Sequence, residues 1–169
     1  MSTDAERVIA AEIVVPAPVE AVWEAWATGA GAQTFFAPRC RIEARPGGAY
    51  EILFLLDAPE GQRGSEGMIV LAAQPPHLLS FTWNAPPHLP AARAQMTHVT
   101  VRLAPAGAGS TRVTLRHDGW GAGGEWDEAF AYFERAWTRT VLPRLRHRFE
   151  HGPMDWADPP ALRPPAPAV

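Results

Sequence analysis

The chain has 169 residues, a formal net charge of -3, 47% hydrophobic residues and 20% charged ones, the composition of one globular domain able to bury its own core. No basic field is available to attract nucleic acid. No apolar run, Ile52 to Leu56 among them, approaches the roughly 20 residues of a membrane span, and the lone Cys40 has no partner for an internal disulfide.

The first segment, Met1 to Arg7, carries no basic stretch followed by an apolar run, so no secretory signal is read and a cytoplasmic protein without membrane association is expected. Every basic residue is arginine, which fits a coding bias and implies no mechanism.

From Arg7 to Val15, Ile9, Ala11, Ile13 and Val15 alternate with more polar positions and predict a half-buried strand. Pro16-Ala17-Pro18 ends it. Val19, Val22, Trp23 and Trp26 then recur at helical spacing behind Pro18, which can open a helix, and Gly29 and Gly31 are expected to close it. Ala32 to Phe36 is expected to add a further helical turn, with Phe35 and Phe36 at a corner over the sheet end.

Strand-length segments follow, separated by turn chemistry: Cys40 to Arg45, Ala49 to Leu56, Gly67 to Gln74, Leu78 to Trp83, Thr97 to Leu103 and Thr111 to His117. With the first strand the series numbers seven. Pro46-Gly47-Gly48 reads as a hairpin in which both glycines adopt positive φ. Beyond Gly124 the period changes to 3.6. Trp126, Phe130, Phe133, Trp137, Val141, Leu145 and Phe149 share one face of a long amphipathic helix, with a kink or an end expected at Pro143. The tail beyond Gly152 holds Pro153, Pro159, Pro160, Pro164, Pro165 and Pro167 and suits an extended segment.

One strand, a helical excursion, six strands and a long helix is the order of the helix-grip fold. Pro16-Ala17-Pro18-Val19-Glu20-Ala21-Val22-Trp23, Pro46-Gly47-Gly48-Ala49-Tyr50, Gly67-Met68-Ile69-Val70, Phe81-Thr82-Trp83, Thr111 to His117 and Trp137 to Leu145 resemble bacterial homologues of the activator of the heat-shock protein 90 ATPase, in the START-like (SRPBCC) superfamily. The resemblance spans Val8 to about Gly152. It implies an α+β helix-grip domain over residues 1–152, a curved antiparallel sheet of about seven strands wrapped round the long C-terminal helix, two short helices after the first strand, and a Pro-rich tail over 153–169. Phe35-Phe36 stands where such relatives often have paired tryptophans, and the eukaryotic co-chaperone has a separate N-terminal region not seen here.

The resemblance also implies an apolar cavity between sheet and helix. Strand parity puts Val99, Val101, Leu103, Val113, Leu115 and His117 on the inner face and His98, Thr100 and Arg102 on the outer one, so His98 and His117 cannot share a metal. His77, His88, His147 and His151 show no zinc-ligand spacing, and neither a metal nor another cofactor is expected. Nucleophile motifs and phosphate loops are lacking, and Cys40 reads as a small buried hydrophobe.

Tyr50, Phe54, Phe81 and Trp83 from the strands, and Phe130, Phe133 and Trp137 from the helix, are candidate ligand contacts, because large rings offer flat apolar walls. Phe36, Trp120 and Tyr50 are placed nearest the opening, with the Tyr50 hydroxyl and His117 as polar groups. His117 with Asp118 is the acid/base candidate, although a strand points neighbouring residues to opposite faces. Glu51, Glu66 and Arg116 fall at outer or rim positions.

The expected function is binding of a small hydrophobic or aromatic molecule by a monomer or homodimer with no catalytic residue. The alternatives are a cyclase- or dehydratase-like enzyme using His117 and Tyr50, and a chaperone- or other protein-interaction module involving Trp156.

Overall fold

Period-two alternation in the chain becomes an antiparallel sheet in the structure, a computed structural model that describes residues 6–162. The expectations for Met1 to Ala5 and for Pro164, Pro165 and Pro167 lie outside the described residues. Strand β1 (Ile9–Val15) leads through Pro16 into helix α1 (Val19–Ala27) and the short α2 (Gly29–Ala32). The strands that follow are β2 (Arg39–Ile42), β3 (Tyr50–Leu53), β4 (Val70–Gln74), β5 (Leu78–Trp83), β6 (Thr97–Pro105) and β7 (Thr111–Asp118).

These seven strands divide into a five-stranded sheet of order β1-β7-β6-β5-β4 and a two-stranded ribbon, β2-β3. Single bridges, Ala49 with Ile69 and Leu53 with Gly64, tie the ribbon to the segment leading into β4. The expected strand from Gly67 is therefore shorter, and its register shifts between Val70 and Ala72, a bulge that bends the sheet edge. In the Pro46-Gly47-Gly48 turn only Gly47 has positive φ, 81°. The loop expected between Trp83 and Thr97 contains one further helical turn, α3 (Pro90–Arg93).

The register of β6 with β7 pairs Val99 with His117, Val101 with Leu115 and Leu103 with Val113. All six side chains are buried, so they form the inner face predicted from parity. Over this sheet runs one helical rod, α4 (Glu125–Ala136), a π turn (Trp137–Val141) and α5 (Leu142–His151). Both α4 and α5 touch β1, while α1 packs on β6.

Pro143 explains the π turn. Its nitrogen cannot donate and its ring crowds the carbonyl four residues upstream, and the chain answers with a wider turn rather than a break, Leu142 N–H reaching back to Trp137 C=O. The core is aromatic: Phe36, buried at the α2 corner, has ring centroids at 5.3 Å from Phe35, 5.5 Å from Trp26 and 5.9 Å from Trp137. Each fully buried side chain of this size contributes roughly 1.5–3 kcal/mol.

Candidate functional site

A cavity of about 260 Å³ opens between the rod and the loops at the ribbon end of the molecule. Phe36, Phe54, Trp83, Phe133 and Trp137 form its apolar wall. Phe36 and Trp83 stack with centroids 5.7 Å apart, Trp83 lies 5.6 Å from Trp137, and Phe54 stands edge-on to Phe36 at 5.9 Å. Phe54 is exposed and sits at the mouth, whereas the others are buried. The π turn delivers Trp137, Thr140 and Val141 to this wall, and Arg144 follows one turn later.

The other sequence-predicted residues lie elsewhere. Tyr50 is fully buried behind the wall, stacked on Phe81 at 3.8 Å, and its hydroxyl donates to the Trp26 carbonyl at 2.9 Å. Burial pushes its phenol well above the ordinary value, with a smaller contribution from Cys40. Trp120 and Phe130 pack together at 5.3 Å, and neither they, Tyr50, Phe81 nor His117 line the cavity. Trp120 donates its indole N–H to the His117 carbonyl at 3.0 Å.

His117 is fully buried and fully partnered. Trp137 Nε1–H donates to His117 Nδ1 at 3.0 Å, and an indole nitrogen can only donate, so Nδ1 is unprotonated. The proton is therefore on Nε2, which donates to Thr97 Oγ1 at 2.7 Å, and that hydroxyl passes its own hydrogen to the Trp83 carbonyl at 3.3 Å. Burial first, and the nearby His98 second, push the imidazole down to about 3. A neutral histidine in this setting braces two cavity tryptophans, Trp83 through its backbone and Trp137 through its ring. Asp118 takes no part, bonding instead to His98 on the outer face, Oδ1 to Nδ1 at 3.1 Å.

Residues 16–150 match the family model of the Activator of Hsp90 ATPase homolog 1-like protein. The chain belongs to this family. No match to a curated protein was found. Among solved structures, a protein of Mesorhizobium loti superposes with a TM-score of 0.63 at 22% identity, covering 85% of this chain and 94% of the other. The Aha1 dimer from Colwellia psychrerythraea gives 0.63 at 16% identity, covering 86% and 98%. A protein of Bacillus halodurans gives 0.59 at 28% identity, covering 85% and 96%. The fold is thus shared with solved proteins of low identity to this chain.

Sequence reasoning did not single out the polar groups of this cavity. Arg63, Asn84, Arg93 and Arg144 line it, and all but Arg144 come from loops or from the short α3. Asn84 Nδ2 donates to Gly64 C=O at 3.2 Å, and Arg93 clamps the carbonyls of Ala85, Gly61 and Gly64 at 2.6, 2.7 and 2.9 Å. Glu66, expected at a rim, accepts from the backbone N–H groups of Gly61, Arg63 and Gly64 and so holds the same loop. No pattern in sequence marks such residues, because loop geometry brings them together.

Outer-face parity also groups Ser80, His98 and Asp118. Ser80 Oγ lies 2.8 Å from His98 Nε2, which gives the order nucleophile, base, acid. The neighbouring strand pairing occupies the backbone N–H groups that an oxyanion would need, and Ser80 is buried, so the trio lacks the electrostatic half of an acyl-transfer site. Cys40 is buried with its thiol pushed up to about 12, mainly by desolvation, and is inert as a nucleophile. Among the described residues no cluster of histidine, cysteine and carboxylate side chains suits a metal, and no helix is long and apolar enough to cross a membrane.

Proposed function

We propose that this protein binds a small, predominantly apolar molecule in the cavity between the ribbon-side loops and the helical rod. The observation that carries the reading is the aromatic wall of Phe36, Phe54, Trp83, Phe133 and Trp137 around a volume of about 260 Å³. Ligand pockets typically run from about 300 to 1,000 Å³, so an occupant of one or two rings suits it. The family's architecture, a sheet wrapped round a helix with space between them, supports the same reading. A binding role needs no acid or base, which agrees with the polar atoms of Tyr50 and His117 being satisfied inside the fold.

The tryptophans provide the test. Two-dimensional NMR of the indole N–H groups during titration with 2-naphthalenemethanol should give saturable shifts for Trp83 and Trp137 and leave Trp126, at the far end of the rod, in place. Saturable shifts confined to Trp120 and Trp126, or no saturable shift with millimolar probe, would reject the cavity as the binding site.

A further inference from the structure

The charges around the cavity are one-sided. Among the described residues Arg63, Arg93 and Arg144 line it and no carboxylate does, in a chain whose net charge is -3. Two of these cations are already engaged. Arg63 Nε donates to the Ala58 carbonyl at 2.9 Å, and Arg93 is held by its three carbonyls with Glu66 4.0 Å away.

Arg144 differs. It is half-buried, has neither a hydrogen-bond acceptor nor a carboxylate partner among the described residues, and lies with its guanidinium 5.3 Å over the Trp156 ring. A guanidinium packed on an indole face keeps its in-plane N–H fork available, the geometry that matches a planar carboxylate with two parallel bonds. Since the chain contains no lysine, the choice of arginine carries no weight, and the argument rests on where this cation stands. Burial alone pushes Arg144 below its ordinary value, and an arginine nonetheless stays charged, so a cation has been partly stripped of water beside an apolar void with no counter-charge among the described residues.

We propose that the ligand is a small aromatic or alicyclic carboxylic acid, its rings against Phe54, Trp83 and Trp137 and its carboxylate on the Arg144 guanidinium. This rests on the binding reading above and adds to it the ligand's charge and direction: apolar body inward, anionic group toward α5. A single open fork suits one carboxylate, whereas a phosphate dianion would call for more donors than this edge offers.

Isothermal titration calorimetry with two probes of matching shape, 2-naphthoate and 2-naphthalenemethanol, separates the two ideas. The wild-type protein should bind the carboxylate at least about ten-fold more tightly than the alcohol, the scale of one charge-assisted hydrogen-bonded pair. Arg144→Gln should remove that preference by weakening naphthoate at least about ten-fold more than it weakens the alcohol, and Arg144→Lys should fall between, keeping the charge and losing the fork. Equal binding of both probes by the wild type, or an unchanged naphthoate affinity in Arg144→Gln, overturns the proposal and leaves the apolar cavity standing. Binding of neither probe by the wild type overturns both. The wild-type comparison needs no variant, so a poorly folding Arg144→Gln would not prevent a decision.

Discussion

His117 shows how a residue's chemistry is set by its surroundings. Strand parity places it on the inner face, and Val99 opposite confirms that face. Parity says nothing of its partners, which arrive from Trp137 on the rod and Thr97 on the neighbouring strand. Its ordinary value of 6.5 falls to about 3 in the fold, so the unfolded chain binds the extra proton between these limits. The stability His117 contributes is therefore complete above pH 6.5 and is lost progressively as pH falls toward about 3. Chemical denaturation between pH 6.5 and 5 should show the wild type losing up to about 1.4 kcal/mol per pH unit more than His117→Gln. At pH 7.5 the variant should be less stable by about 1–3 kcal/mol, the cost of disturbing a buried, paired polar group. Tyr50→Phe, by contrast, deletes one internal hydrogen bond and should cost about 0.5–1.5 kcal/mol in denaturation while leaving probe affinity unchanged.

At the scale of elements, periodicity located all seven strands and the long helix, because alternation and 3.6-residue recurrence follow from which face is buried. It could not show where pairing changes partner. The β2-β3 ribbon joins the larger sheet through two bridges that depend on close backbone approach, and Gly64 makes one possible: a Cβ there would overlap the Ile52 carbonyl oxygen. Gly64 C=O also receives Asn84 and Arg93, so this glycine fixes the cavity's loop wall. Gly64→Ala should destabilise the fold by about 1–3 kcal/mol in urea denaturation and weaken 2-naphthalenemethanol binding as well. The π turn was equally hidden, since Pro143 announces a disturbed helix without saying whether it kinks, ends or widens.

Over the whole molecule, the order of strands and helices was legible because it follows local pattern, whereas the cavity depends on side chains far apart in sequence. Phe36 from the α2 corner, Phe54 from the ribbon, Trp83 from β5 and Trp137 from the rod meet there. The predicted residues Tyr50, Phe81, Trp120, Phe130 and His117 point toward the same interior but pack elsewhere in it, a distinction of depth and position along the rod that inward parity cannot make. The C-terminal segment adds a further long-range tie: Met154 N–H bonds Thr34 C=O at 2.9 Å, and Trp156 Nε1–H bonds Gln33 C=O at 2.7 Å beneath Arg144. Removing residues 153–169 should lower stability by about 1–2 kcal/mol in the same denaturation assay, through loss of these bonds and of the buried Met154 side chain.

The most direct measurement is a crystal structure of the protein bound to 2-naphthoate. Ring density between Phe54, Trp83 and Trp137, with the carboxylate directed at Arg144, is the predicted result. Ring density between Trp120 and Phe130, or in the shallow groove beside Thr100 and Arg116 on the outer face of the sheet, with the cavity left empty, would contradict the account.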